Sequence, residues 1–168
     1  MSTTKIEVYA TLLKVAKTET LKRMVAVPEE KRLVQFESGK ATPLWYVGHL
    51  AGSATTILVN WLLNEQGTMA PEQAGLFMGT EFGGPPITTN AADYPPWDDL
   101  VRMYEAAMIQ AIEGLNKMDD NMLPNPLPGE MSDDFRSFFT SIETTLRIIV
   151  SHDAEHRGQL GMLSKYGK

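Results

Sequence analysis

Residues 132–168 read SDDFRSFFTSIETTLRIIVSHDAEHRGQLGMLSKYGK, and apolar side chains recur through them at intervals of three, four or sums of these. Such spacing lines one face of an α-helix with apolar groups. Ser132 is a suitable N-terminal cap, and Asp133 and Asp134 place negative charge in the first turn. We therefore predict one long helix that ends near Gly167. Its apolar stripe contains Phe135, Phe139, Ile142, Leu146, Ile149, Leu160 and Leu163.

Three earlier segments have the same helical spacing. They cover residues 4–26, 42–63 and 97–118. The second segment starts at Thr42 and Pro43, a capping side chain followed by proline in the first helical position. No alternating strand pattern and no internal repeat accompanies these segments. The sequence therefore predicts an all-α fold, a four-helix bundle with a long crossover connection between helices two and three.

That connection, residues 67–96, is rich in Gly, Pro and Thr. A link of this length in a compact domain is usually a lid, a binding loop or a locally disordered segment. Residues 71–77 are expected to add a short turn of helix. The Gly-Gly-Pro-Pro stretch at 83–86 lacks the Lys and the Ser or Thr of a phosphate-binding loop, so we predict no nucleotide site.

Composition limits the class of protein. With 168 residues and 43% hydrophobic content, the chain is long enough for one domain, residues 1–168. No stretch approaches the roughly 18 to 20 uninterrupted apolar residues of a membrane span, and MSTTKIEV at the start is unlike a signal peptide. We therefore expect a cytoplasmic protein without a membrane partner. Beyond residue 40 acidic groups outnumber basic ones, which argues against nucleic-acid binding.

The histidines are the most informative polar residues. The chain has no cysteine, so a metal site must use nitrogen and oxygen ligands. His152 and His156 are four positions apart, about 40° around a helix, and two imidazoles so placed can reach one ion. Spacing alone is weak evidence, because such pairs also arise by chance. The third histidine, His49, lies one turn after Trp45 on the second predicted helix.

Polar residues share the predicted faces of these histidines. They are Ser53, Thr56 and Asn60 on helix two and Thr145 and Gln159 on helix four. Two facing half-polar stripes predict a wet pocket. Each histidine could instead be satisfied separately by ordinary hydrogen bonds. One shared ion is favoured, because it satisfies three ring nitrogens at once and leaves three N–H groups for nearby acceptors. Three nitrogen ligands leave open coordination positions, as in catalytic sites.

Four neighbouring side chains are less distinctive. We expect Asp153 and Glu155 to form solvated surface, with orientation of an imidazole or action as a base as the alternatives. Arg157 lies about 140° from His152 around the helix, so it should pair with a neighbouring helix or a dimer partner. Trp45 is close enough to His49 to wall the pocket.

Two stretches, SHDAEHRGQL at 151–160 and PLWYVGHLAG at 43–52, resemble the DinB-like superfamily, and the likeness extends over nearly the whole chain. The resemblance implies a four-helix bundle with one long crossover, often assembled as a homodimer. It places the family's three metal-ligating histidines on His49, His152 and His156.

The resemblance does not specify a substrate, because the family includes thiol-dependent S-transferases and isomerases, hydrolases and iron-binding domains of sulfoxide synthases. The last are not expected, because the chain ends after the bundle. We expect a metal-dependent enzyme, of S-transferase or hydrolase type, that activates water or a low-molecular-weight thiol for attack on a small molecule. Zinc or nickel is the first expectation for the metal, with iron or manganese as alternatives. The competing class is a non-catalytic, stress-associated bundle that binds a metal or ligand. The sequence assigns no catalytic residue.

Overall fold

The computed structural model describes residues 3–166, and within that range the regular structure is helical, with no strand. The α-helices are α1 Lys5–Val25, α2 Pro43–Ser53, α3 Pro71–Gly75, α4 Trp97–Leu115, α5 Asp133–Phe138 and α6 Ile142–Tyr166. A π-helical segment, Ala54–Leu62, continues α2. Short 3-10 turns lie at Glu29–Lys31, Thr80–Phe82, Ala91–Asp93 and Asp120–Met122. The all-α prediction is confirmed, and Gly167, where we predicted the last helix to end, lies outside the described residues.

Local sequence signals fix the starts of α1 and α2. The Thr4 hydroxyl accepts a hydrogen bond from the Glu7 amide, and the Glu7 side chain accepts one from the Thr4 amide, which completes a capping box. At α2 the Thr42 hydroxyl accepts from the amide of Trp45, and Pro43 occupies the first turn. The predicted start of the second helix is therefore confirmed, and this start sets the direction in which His49 points.

The π-helical segment changes the second half of this helix. Its end is closed by a bond from the Leu63 amide to the Leu58 carbonyl, five residues earlier. Because a π turn holds more residues than an α turn, side chains beyond Ser53 no longer follow the 3.6-residue spacing. Asn60, which we expected above His49, instead accepts a hydrogen bond from the amide of Gly67 at 3.0 Å. Asn60 therefore stabilises the start of the long connection, at Gly67.

The prediction of one continuous helix from Ser132 is wrong. The chain breaks between α5 and α6, where Phe139 leaves the helical region with φ −96° and ψ 68°. Ser141 then caps α6, because its hydroxyl accepts from the Thr144 amide at 3.2 Å. The amides of Ile142 and Glu143 donate to the carbonyls of Asn125 and Leu123, in the loop between α4 and α5. Phe135, Phe139 and Ile142 keep helical spacing across this break, so the apolar pattern did not predict the cap.

Helix α1 packs against α4 and α6, and α2 also packs against α4 and α6. Fully buried leucines fill the interior between them, among them Leu13, Leu100, Leu146 and Leu160. Each such side chain stabilises the fold by about 1.5–3 kcal/mol relative to an exposed one. The predicted short helix α3 is confirmed, and it packs on α2. Among residues 3–166, no helix has the length and apolar character needed to cross a membrane.

Candidate metal site

The contact between α2 and α6 brings the three histidines together. Nε2 of His152 lies 2.9 Å from Nε2 of His49 and 3.1 Å from Nε2 of His156. Candidate donor nitrogens of the three rings all lie within 4.8 Å of one another. The sequence therefore predicted three residues that the fold places in one cluster, although His49 and His152 lie 103 positions apart.

The other ring nitrogens of two histidines face acceptors. Nδ1 of His49 is 2.7 Å from the carbonyl oxygen of Phe77, and Nδ1 of His156 is 2.5 Å from Oε1 of Gln159. A carbonyl oxygen can only accept, so each Nδ1 carries the proton and donates it. In the neutral rings Nε2 of His49 and Nε2 of His156 are then unprotonated. Their lone pairs point into the cluster.

This donor set fits a divalent cation. Nitrogens bound to one tetrahedral Zn²⁺ at about 2.0–2.1 Å would lie about 3.3 Å apart, close to the separations of His152 from its two neighbours. Without a cation, a single N–H on Nε2 of His152 would face the lone pairs of both His49 and His156. It can satisfy one of them, and the other is left without a partner. The carbonyls that hold His49 and His156 are the outer acceptors that metal-binding imidazoles usually have.

Burial keeps the imidazoles of His49 and His152 neutral. It lowers the pKa of His49 to about 4, against a smaller opposing effect of the Phe77 carbonyl, and repulsion from His156 lowers it further. Burial likewise lowers the pKa of His152 to about 3, with additional repulsion from His156 and His49. Since only an unprotonated ring nitrogen binds a metal, both rings are ready to act as ligands at neutral pH.

Two aromatic side chains of α2 wall the cluster. The Trp45 ring stacks on His49, with centroids 4.8 Å apart and planes 10° apart, as expected from the sequence. The Tyr46 ring packs against the His156 ring, with centroids 5.3 Å apart. Burial, followed by the negative charge of Glu155, raises the pKa of Tyr46, so its hydroxyl stays protonated at neutral pH. Its proximity to the cluster was missed, because tyrosine one position after a buried tryptophan has no distinguishing signal.

The long connection supplies part of the site. Phe77 is buried, and its ring lies so close to α2 that a Cβ on Gly48 would overlap it. Glycine at 48 thus permits the approach that brings the Phe77 carbonyl to His49. Neither residue was predicted from the sequence, although a glycine directly before a candidate ligand is a signal for close approach of another segment.

The prediction that Asp153 is solvated is wrong. Its side chain is buried, at 5% exposure, and accepts hydrogen bonds from Thr20 at 2.7 Å and Tyr104 at 2.6 Å. Arg157 pairs with this carboxylate at 3.4 Å, so within the described residues its partner is on its own helix. The Glu155 side chain is exposed, as predicted.

The predicted wet pocket is small. A cavity of about 10 Å³ lies beside His152 and includes Ser53 in its wall. Thr145, which we expected to face the pocket, is buried, and its hydroxyl donates to the Ser141 carbonyl at 2.8 Å. Of Thr145 and Gln159, it is Gln159 that contacts a histidine. The predicted polar stripe on α6 is therefore divided: Gln159 lies at the histidine cluster, whereas Thr145 bonds to the start of the helix.

Residues 12–160 match the sequence model of a family described as the DinB superfamily. The chain belongs to the DinB superfamily. The matched range includes all three histidines of the cluster, so the resemblance predicted from the sequence is confirmed for the part of the chain that carries the site. No curated protein matches the sequence.

Proposed function

We propose that His49, His152 and His156 bind one divalent metal ion, and that this DinB-superfamily protein is a metal-dependent enzyme of S-transferase or hydrolase type. The observation that carries the proposal is the convergence of the three Nε2 atoms, with Nδ1 of His49 and of His156 held by acceptors. Membership of the superfamily supports it, since DinB-like proteins bind divalent metals. Zinc and nickel suit imidazole ligands best, with iron or manganese as alternatives.

A cation held by three neutral nitrogens supplies a Lewis acid that lowers the pKa of a water or, more strongly, of a low-molecular-weight thiol. The protein's own residues prepare the surroundings. Trp45 covers one face of His49 and shields the cluster from water. The ring of Tyr46 lies against His156, and its protonated hydroxyl is a candidate hydrogen-bond donor to a small electrophilic substrate. Tyr46 is thus a candidate for substrate binding rather than a general base.

Metal content is the direct test. The protein is purified without an affinity tag or chelator, and bound metals are measured by mass spectrometry of the elements. We expect about one ion per chain in the wild type and loss of it in His152→Ala. Ser151→Ala, an exposed neighbour on α6, is the matched control and should keep its metal. A wild type that neither carries nor takes up a stoichiometric ion would remove the proposal.

Thermal unfolding of His152→Ala separates an enzyme from the non-catalytic alternative. Loss of metal with little change in unfolding temperature supports an open, functional site, whereas collapse of the fold with loss of metal supports a structural ion. Metal-loaded protein is then assayed with a panel of thiols and model electrophiles. Turnover that disappears in His152→Ala and persists in Ser151→Ala supports the enzymatic proposal.

We further propose that the long helices form a four-helix bundle in a single domain over residues 1–168, with the long crossover between the second and third, and that two copies form a homodimer. The packing of α1 and α2 on α4 and α6 supports the bundle. Light scattering after size-exclusion chromatography tests the dimer. The cytoplasmic location stays a prediction.

A further inference from the structure

The buried carboxylate of Asp153 has one unused acceptor position. Oδ1 accepts from the Thr20 hydroxyl of α1 and from Arg157, and Oδ2 accepts from the Tyr104 hydroxyl of α4. Two carboxylate oxygens offer about four lone-pair sites, so Oδ2 can accept once more. Burial and charge in the surroundings, Asp153 among them, raise the pKa of Tyr104, which keeps its hydroxyl a donor. Three helices therefore hold this carboxylate in a fixed position.

A ring nitrogen without a partner lies on the adjacent residue of α6. Nδ1 of His152 is buried and has no hydrogen-bond partner among the described residues. It differs in this from Nδ1 of His49 and of His156, which face the Phe77 carbonyl and Gln159. Buried polar groups are nearly always satisfied, by protein or by ordered water.

The cavity beside His152 connects the two groups. Its volume is about 10 Å³, close to the smallest space that holds one water molecule. Four of its lining residues have polar side chains, Ser53, Tyr104, His152 and Asp153, and the other five are apolar. A buried water needs two to four polar partners, and these side chains are the candidates.

We propose that one ordered water occupies this cavity, accepts a hydrogen bond from Nδ1–H of His152 and donates to the carboxylate of Asp153, with the Ser53 hydroxyl as a further partner. Asp153 is then a positioning residue that orients His152 through the water. It also fixes the Nδ1–H tautomer, so that Nε2 of His152 presents its lone pair to the cluster. This last consequence rests on the proposed metal site, whereas the water itself does not.

The water is tested directly in metal-free wild-type protein. A crystal structure at high resolution should show a density peak in the cavity within hydrogen-bond distance of Nδ1 of His152 and of Asp153. An empty cavity overturns the proposal, and this measurement does not depend on metal binding.

The positioning role is tested by Zn²⁺ competition against a chromophoric chelator. Removal of an outer acceptor of a metal-ligating histidine typically costs roughly 10–100-fold in metal affinity, and we expect this loss in Asp153→Asn. Thr20→Val is the matched control, since it removes a donor from the same carboxylate but does not line the cavity. We expect its Zn²⁺ affinity to stay within about threefold of wild type, even where both variants lose similar stability.

Equal Zn²⁺ affinities in the two variants overturn the positioning role of Asp153 and leave the three-histidine site intact. Failure of the wild type to bind Zn²⁺ removes the proposed function and leaves the water to stand or fall on the crystal structure. If Asp153→Asn does not fold, the crystal structure of the metal-free wild type still decides whether the water is present.

Discussion

The carbonyl oxygen of Phe77 and Nδ1 of His49 lie 2.7 Å apart, and this bond joins the long connection to the histidine cluster. Phe77 reaches α2 because residue 48 has no side chain. The loop therefore sets both the tautomer and the orientation of His49. A segment that reads as a flexible link in the sequence is part of the site.

Gly48→Ala should weaken both the fold and the site. The added methyl overlaps the buried Phe77 ring, so we expect a loss of about 1–3 kcal/mol in the free energy of unfolding. Displacement of the Phe77 carbonyl should also reduce metal affinity by roughly tenfold. Gly52→Ala is the control one turn further along α2, where the new Cβ meets Ala74 and Met69 at an ordinary 3.6 Å. Urea unfolding and Zn²⁺ competition measure both effects, and equal behaviour of the two variants would contradict the role of Gly48.

Gln159 should control His156 in the same way. Gln159→Leu removes the acceptor for Nδ1–H, so the ring loses its orientation and metal affinity should fall by roughly 10–100-fold. Gln159→Glu keeps an acceptor oxygen and should retain the affinity of the wild type or exceed it. Chelator competition on the three proteins distinguishes loss of the acceptor from loss of side-chain packing. An equal decrease in both variants would point to packing.

The free energy of unfolding of the metal-free protein should decrease as the pH is lowered below about 6.5. The pKa of His49 is about 4 and that of His152 about 3 in the folded chain, against an ordinary value of 6.5 in the unfolded chain. Between these values the unfolded chain binds more protons, so stability is complete above about pH 6.5 and is lost as pH decreases. Each histidine contributes up to about 1.4 kcal/mol per pH unit.

Urea unfolding at pH 7, 6 and 5 measures this slope before most carboxyl groups titrate. The slope should be smaller in His49→Gln, which removes one of the two groups. A wild-type stability that is flat from pH 7 to pH 5 would show that the two rings are not protected from protonation in the folded chain.

Because the chain breaks before α6, Ser141 and Ser132 should differ in how much each stabilises the fold. Ser141→Ala removes the hydroxyl that caps α6 and should cost about 1 kcal/mol in the free energy of unfolding. Ser132 precedes α5 without a capping hydrogen bond from its side chain, so Ser132→Ala should change stability by at most about 0.5 kcal/mol. Chemical denaturation of both variants decides between the broken helix and a continuous one, for which Ser132 would be the cap.

Much of the helical architecture was predictable, because caps and apolar spacing are local signals. Thr42 and Pro43 mark the start of α2 in the sequence as clearly as in the structure. The break at residues 139–141 was not predictable from spacing, because Phe139 and Ile142 remain three apart on either side of the cap at Ser141. The π-helical segment was equally hidden, since hydrogen bonds five residues apart leave no pattern in side-chain type.

For the candidate site, the sequence supplied the histidines but not what holds them. Cysteine-free composition and three histidines narrow the possible ligands, and the fold places all three in one cluster. The acceptor on His49 is a backbone carbonyl, which every residue possesses, so side-chain identity could not identify Phe77. The burial of Asp153 depends on Thr20 and Tyr104, which lie 133 and 49 positions away.

The walls of the site differ in how readily each can change, because Asp153 anchors one of them, α6, to two other helices. Helix α6 is tied to α1 through Thr20 and to α4 through Tyr104, so rotation about its axis would break two buried hydrogen bonds at once. The segment after Phe77 is different, since Glu81, Phe82 and Gly83 are exposed. We expect selection for a new substrate to alter the length and composition of this segment and to leave α6 unchanged.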